Sequence, residues 1–257
     1  MNSDKFASAM NRLKIAISDP RASWRYVREG REGVVNFKLN QLLQTKGSEL
    51  REIFHEIDKF DEYIRRQLSL SDMKYVPRTN FGEALYVICR VAKPLRIVET
   101  GVASGLSTTY ILEALEKNGQ GELHSIDMPD YEKILVRKSQ GYLREPISLL
   151  PEGKDVGWLV PNDLRHRWHL IIGLTKDLLP NLCKSLGKVN VFLHDSEHTY
   201  ENMYFEYATV WPHLAKNGYL LSDDAWWNTA FSDFCREVKA KPTYVYTTGV
   251  AGVRKKR

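Results

Sequence analysis

The chain has 257 residues, 43% hydrophobic and 27% charged, with a formal net charge of +5. That is ordinary for a globular protein and enough for one large domain, or one domain with an appendage. No apolar run reaches the roughly 18 residues of a membrane span. The start, Met1-Asn2-Ser3-Asp4-Lys5, has no signal-peptide pattern, so the expected location is cytoplasmic, away from membranes. Cys89, Cys183 and Cys235 lie far apart and form no CxxC, which fits free thiols in a reducing compartment. Part of the positive charge is the terminal run Arg254-Lys255-Lys256-Arg257. It reads first as a solvated end and only second as a contact for nucleic acid.

Residues 1–80 look helical and form the expected N-terminal extension, a packing layer with a secondary role as lid or homo-oligomer surface. Its clearest piece is Ser48 to Leu68, with apolar residues at Leu50, Ile53, Phe54, Ile57, Phe60, Ile64 and Leu68. Ser48 is the expected N-cap, with Glu49 and Glu52 in the first turn. Residues 71–80 read as a connector. From Phe81 onward helices alternate with strands, giving a second unit over 81–257.

A helix at 81–91 leads through Lys93-Pro94 to the strand Arg96–Glu99, and a helix follows from Ser107 to Glu116, stopped by Asn118-Gly119. The second strand is Glu122–Ile126, ending at Asp127. Residues 130–165 form a long irregular insertion, a length that is usually functional or mobile. The third strand is Trp168–Ile172, ending at Gly173, before a helix at 176–185. The fourth is Val189–Leu193, ending in His194-Asp195. Its helix carries Tyr200, Met203, Tyr204, Tyr207, Trp211 and Leu214 on one face, read as core, and Asn217-Gly218 ends it. The fifth strand, Tyr219–Ser222, ends in Asp223-Asp224, and a helix spans 228–238. Two β segments at 243–247 and 250–255 read as a hairpin through Thr248-Gly249. This alternation predicts a doubly wound, Rossmann-like, mostly parallel seven-stranded sheet with an antiparallel C-terminal edge.

In such sheets ligands sit beyond the carboxyl ends of the strands. Glu99, Asp127, Gly173, Asp195 and Asp223-Asp224 all fall there. Any one of them alone reads as a turn acid or helix cap. The loop Glu99-Thr100-Gly101-Val102-Ala103-Ser104-Gly105 has two glycines that would let a ligand approach bare backbone, at the positive end of the following helix. Ala103 breaks the G-x-G-x-x-G pattern of dinucleotide binders. Asp127 could take both ribose hydroxyls of a nucleoside. Glu99 would repel a diphosphate and suits a cationic sulfonium with an amino group. The pair favours S-adenosylmethionine over NAD.

The segments VETGVASGLST (98–108), HSIDMPD (124–130), GWLVP with RHRWHLIIG (157–173), HDSEHTYENMYFEY and GYLLSDDAWWNTAF (194–231) resemble class I S-adenosylmethionine-dependent methyltransferases. Within that class the chain is similar to the bacterial macrocin-type and cephalosporin-cluster O-methyltransferases, which are metal-dependent. The resemblance runs from residue 81 to the end and says little about the acceptor. It implies that Glu99, Thr100, Gly101, Val102, Ala103, Ser104, Gly105, Ser107 and Thr108 surround the methionine end of the cofactor. Asp127 and Met128 would lie at the ribose, Gly173, Leu174 and Thr175 at the adenine, and Asp195 at the reacting end.

Asp195 with Asp223 and Asp224 stands on neighbouring strand ends about 5 Å apart. Three hard oxygen ligands suit Mg²⁺ or another hard divalent ion, and the resemblance implies the same three ligands. It implies a direct in-line displacement by a substrate hydroxyl that loses its proton beside the metal. The base would be Glu197 or His198, with His198 better matched to neutral pH. Trp226, Trp227 and Asn228 could line the substrate pocket, and Trp158 with the insertion could close over the cofactor. The expected acceptor is a small hydroxylated molecule, either a sugar-bearing natural product or a phenol. The alternatives are methylation of nucleic acid, a non-catalytic cofactor-binding subunit, or an NAD-dependent oxidoreductase.

Overall fold

A computed structural model describes residues 19–45, 47–71, 79–128, 150–245 and 248–256. Four helices come first: α1 (Pro20–Leu43), α2 (Gly47–Glu56), α3 (Asp58–Ser69) and α4 (Thr79–Ala92). Then follow β1 (Arg96–Thr100), α5 (Leu106–Asn118), β2 (Glu122–Asp127), a 3₁₀ turn (Asn162–Arg167), β3 (Trp168–Ile172) and α6 (Thr175–Leu186). The chain continues through β4 (Val189–His194), α7 (Tyr200–Val210), β5 (Leu214–Ser222), α8 (Ala230–Glu237), β6 (Thr243–Tyr244) and β7 (Ala251–Arg254). Among the described residues no helix is long and apolar enough to cross a membrane. Cys89, Cys183 and Cys235 are buried and unbonded.

The sheet runs β3-β2-β1-β4-β5-β7-β6. The first five strands are parallel, and β7 is antiparallel to both β5 and β6. Strand order therefore reverses at β1, between β2 and β4, which is where an open α/β sheet leaves a crevice. Side-chain alternation splits the core in two. Ile97, Leu123, Leu193 and Leu221 face α1–α5, while Val98, Ile126, Phe192 and Leu220 face α6–α8. Residues of the N-terminal helices, Leu39, Leu50, Ile53 and Ile64, belong to the same buried cluster as Ile97 and Leu221. The helical extension is thus one face of the sheet's own core.

Several elements differ from the sequence expectation. The stripe from Ser48 to Leu68 is two helices meeting at Ile57, and Ser48 lies inside α2 rather than at its N-cap. The Ile57 N–H reaches the Phe54 carbonyl at 3.4 Å, an i→i−3 contact that tightens the last turn of α2. α4 begins at Thr79, within the expected connector, whose residues 72–78 lie outside the described ones, as do 129–149 of the insertion and 246–247 of the hairpin. Leu214 is not on the helix of Tyr200: Pro212 diverts the chain into a 3₁₀ turn, and Leu214 opens β5. The Asn217-Gly218 turn survives as an irregularity inside that strand, between pairings Val189↔Leu214 and Val191↔Tyr219. Asn217 takes φ 65° there.

Two residues of the basic C-terminal run are also built in. Arg254 Nη1 donates to Gln44 Oε1, and Lys255 Nζ donates to the carbonyls of Trp211 and Leu214 at 2.6 and 2.9 Å. These two cations cap backbone carbonyls and a glutamine, so the solvated-end reading holds for them no better than the nucleic-acid one.

The α4–α5 contact is tight at Gly82, where an added Cβ would fall 2.2 Å from the Tyr110 ring. The ring is fully buried. Gly82→Ala should cost about 1–3 kcal/mol through this overpacking. Urea unfolding checks it, and an unchanged midpoint would show that Tyr110 can yield.

Candidate functional site

Register brings the polar ends of the central strands level. Thr100 of β1 pairs with His194 of β4, and His194 pairs with Ser222 of β5. Asp195 and Asp223 therefore leave adjacent strands together. Their backbones stay zipped, with Asp195 N–H on the Thr100 carbonyl and Asp223 N–H on the His194 carbonyl, both at 2.8 Å. On the other side, Thr100 pairs with Ile126, and Gly173 N–H bonds the Asp127 carbonyl at 2.8 Å. Gly173, Leu174 and Thr175 thus leave β3 beside Asp127.

Asp127 is 8% exposed, and its Oδ2 accepts the N–H groups of Val102 and Ala103 at 2.6 and 2.7 Å. Burial raises its carboxyl, and those two backbone bonds work against the rise. The clasp lets Ala103 hold φ 48°, which a non-glycine residue seldom adopts. Gly101, at φ 84°, is tight against the protein itself: its added Cβ would lie 2.0 Å from the Asp195 carbonyl oxygen. At Gly105, φ 88°, the Cβ would meet Gly157 Cα at 2.8 Å. Both glycines are also required by backbone crowding within the chain itself. A strap covers the loop: Gly157 N–H donates to the Ala103 carbonyl and Leu159 N–H to that of Ser104, at 2.8 and 3.0 Å. Trp158 in the strap packs half-buried against the α1–α5 core.

Side-chain alternation sends Glu99 and Thr100 to opposite faces. Glu99 is fully buried under α5 and accepts from Ser107 Oγ, Thr108 Oγ1 and Ser125 Oγ at 2.6, 2.8 and 2.7 Å. Burial pushes its carboxyl up to about 7, against the pull of the three hydroxyls. The expectation that Glu99 and the hydroxyls of Ser107 and Thr108 face the methionine is corrected here. These groups satisfy one another, because the strand pleat aims Glu99 inward and α5 starts directly above it. What the loop and α5 offer outward is backbone: α5's ladder begins only with Thr109 N–H to Gly105 carbonyl, so the N–H groups of Leu106, Ser107 and Thr108 precede it.

Thr100 also turns inward, donating at 2.6 Å to Glu206 Oε2. Glu206 lies on α7 and further accepts from His194 Nδ1, Ser196 Oγ and Asn202 Nδ2 at 2.6, 2.7 and 3.2 Å. Burial works to raise Glu206, but His194 and these bonds outweigh it and hold the carboxyl below the usual range. Sequence reading missed this network. Its signal is an acid three residues after Met203 on the face read as core.

Asp195, His198 and Asp223 bring ligand atoms within 4.8 Å of one another. Burial lifts the Asp195 carboxyl well above its usual value, aided by Asp223 and then Glu99 and Asp224. Asp224, expected as the third ligand, stands outside this group, its backbone swung to φ 41° at the start of the 224–227 turn. His198 takes that place. Its Nε2 is buried without a hydrogen-bond partner. Burial and the neighbouring His194 ring drive its imidazole down to about 3, so it is not the base tuned to neutral pH that was expected. The backbone is held by Asn228 Nδ2 on the His198 carbonyl at 3.1 Å, and Trp227 lies 6.1 Å from the imidazole between ring centroids. Glu197 and Met128 are half-buried at the rim.

Asp223 is pressed from above by the C-terminal hairpin, since a Cβ on Gly249 would lie 2.4 Å from its Oδ1. Beside that contact lies a cavity of about 500 Å³, lined by Phe54, Asp61, Arg65, Asn80, Glu83 and Thr248 among others. Thr248 precedes Gly249, and Phe81, next to Asn80, comes 3.7 Å from that same Cβ position.

Residues 98–225 match the family described as Methyltransferase domain. Among curated proteins none matches the chain in sequence. A structure from Staphylococcus aureus assigned as a caffeoyl-CoA O-methyltransferase superposes with TM-score 0.53 at 10% identity, covering 81% of this chain and 97% of its own. Cofactor-bound Rv0187 from MTB gives 0.52 at 13% identity, over 76% and 89% of the two chains. The O-methyltransferase NovP gives 0.50 at 15%, over 69% and 80%. At these identities the likeness is one of fold.

Between the usual carboxyl value of 4.5 and about 7, folded Glu99 keeps a proton that the unfolded chain has lost. Stability therefore falls as pH rises through that window and levels off above it, by on the order of 3 kcal/mol. Glu99→Gln should remove this slope. Denaturant unfolding at pH 4.5 to 8 tests it, and parallel profiles for the two proteins would place the proton elsewhere.

Proposed function

Since residues 98–225 form a class I S-adenosylmethionine-dependent methyltransferase domain, we propose that the protein moves the methyl group to a hydroxyl oxygen of a small molecule, with a divalent cation beside the acceptor. The observation that carries this reading is the register that sets the Asp127-clasped loop beside Asp195 and Asp223. Methyl donor and acceptor oxygen must meet at about 3–3.5 Å, so their binding groups must converge at one point.

S-adenosylmethionine supplies an electrophilic sulfonium methyl. The Gly101–Gly105 backbone and the first N–H groups of α5 bind its amino-acid end. Asp127, with Oδ2 on the loop, would hold the ribose, with Met128 alongside. Gly173, Leu174 and Thr175 flank the adenine.

Asp195, Asp223 and the unpartnered His198 Nε2 fit a divalent ion with mixed oxygen and nitrogen donors. Such a donor set points toward Mn²⁺, Fe²⁺ or Zn²⁺ as readily as Mg²⁺. A cation there would supply a Lewis acid that lowers the pKa of the acceptor hydroxyl. With His198 this weak a base, Glu197 is the carboxylate that receives the proton.

The acceptor enters from the cavity beside Thr248. Its volume, about 500 Å³, is that of a small-molecule pocket. A nucleic-acid acceptor is disfavoured, because Arg254 and Lys255 are spent on internal contacts.

Calorimetry should show S-adenosylmethionine binding that Asp127→Ala weakens at least tenfold. Asp223→Asn should keep that binding and lose methyl transfer to hydroxylated acceptors by at least a hundredfold, as should EDTA. Full transfer with EDTA present would remove the cation from the reading. Absence of cofactor binding would remove the reading itself.

A further inference from the structure

A second cluster of ligating side chains lies away from the crevice. Strand pleating puts Glu122 and His124, two apart on β2, on one face. Register puts His169 of β3 directly across from His124. All three therefore project together on the α6–α8 side, near the amino ends of the strands. Asp127, the nearest site residue, is three positions further along β2, roughly 10 Å.

Glu122 Oε2 stands 3.4 Å from His169 Nε2 and 3.7 Å from His124 Nε2. The three ligand atoms lie within 4.8 Å of one another. These separations are long for a hydrogen bond, whose heavy atoms sit at about 2.7–3.2 Å. The 3.4 Å separation matches two donors sharing one tetrahedral ion, which stand about 3.3–3.5 Å apart when each bond is about 2.0–2.2 Å, and the 3.7 Å one is slightly longer. The two rings stack in near-parallel planes, 4.5 Å between centroids and 13° apart, so both Nε2 atoms face the same carboxylate. His124 is 12% exposed in its side chain, and its Nε2 is buried with no hydrogen-bond partner. Arg96 of β1 pairs in register with Glu122 of β2, and its Nη1 donates to the Leu186 carbonyl at 3.0 Å.

We propose that Glu122, His124 and His169 form a binding site for a borderline divalent ion of the Zn²⁺ type, separate from the crevice. Two imidazoles and one carboxylate select Zn²⁺, Co²⁺ or Ni²⁺ over Mg²⁺ and Ca²⁺. Glu122 and His169 are 59% and 49% exposed in their side chains, which leaves room for water as the fourth ligand. β3 is the outer strand of the sheet, paired only with β2 among the described strands. An ion held by both would fasten this edge strand and stabilise the folded chain in proportion to its occupancy.

The test uses Zn²⁺ itself, on full-length protein freed of metal. Asp223→Asn disables the crevice cluster and isolates the second site. That variant should bind about one equivalent of Zn²⁺ by calorimetry, and its thermal midpoint should rise with Zn²⁺. Adding His169→Ala, a half-exposed position whose folding is checked by circular dichroism, should weaken this binding at least tenfold and abolish the thermal rise. Co²⁺ should give tetrahedral absorption bands in Asp223→Asn alone. Absence of Zn²⁺ binding in Asp223→Asn would reduce the cluster to an ion pair. Equal binding with and without His169 would place the ion elsewhere. Either result overturns the proposal.

Discussion

One carboxylate oxygen sets the geometry of the crevice. Asp127 Oδ2 holds the N–H groups of Val102 and Ala103. Only a loop held this way brings Gly101 against the Asp195 carbonyl and Gly105 against Gly157. The first contact ties the loop to β4, from which Asp195 emerges. The second fixes the strap that crosses the loop at Ala103 and Ser104. The clasp is thus a side-chain anchor from which close backbone contacts run to β4 and to the strap. Those backbone contacts do not depend on rotamers, which keeps the two ends of the proposed site at a constant separation.

Two buried acids then hold the walls, in different electrostatic states. Glu99 lies among three neutral hydroxyls, with nearby carboxylates adding to its rise, and its proton affinity climbs toward 7. Glu206 has His194 beside it, and stays well on the ionised side. A buried acid is tolerable only when its oxygens are occupied, and both are. Each fastens an element that carries site residues: Glu99 the start of α5, Glu206 the junction of β1, β4 and α7. These groups determine shape from behind the site rather than from within it.

The N-terminal helices supply the remaining wall. Their apolar residues close the sheet face that bears Asp127, Asp195 and Asp223, and their polar rim encloses the cavity beside the hairpin. Asp61 reaches the Tyr110 hydroxyl of α5, and Arg65 joins Glu83 of α4 at 3.0 Å. A region with no motif of its own is thereby bound to the motif-bearing part, and Arg254 and Lys255 are consumed in internal contacts of the same kind.

Much of this architecture was legible in the sequence. Short continuous apolar runs such as Ile97–Val98 and Val191–Phe192–Leu193, alternating with helical stretches and followed within two residues by an acid, located the parallel strands. Gly119 marked the end of α5, and the acids after β4 and β5 marked the crevice. The direction of individual side chains was not legible. Glu99, Thr100, Ser107 and Thr108 were expected to face a ligand; Glu99, Ser107 and Thr108 bond one another, and Thr100 bonds Glu206 on the opposite face. Asp224 was expected beside Asp195, where His198 stands. His124 and His169, more than forty residues apart, were unremarkable until register paired them. Sequence spacing fixes which residues share a face within one element, because pleat and helix period are local. Which elements meet across the sheet, and which polar atom is left without a partner, depends on registers and crossings between distant segments. Those were decided only when the chain packed.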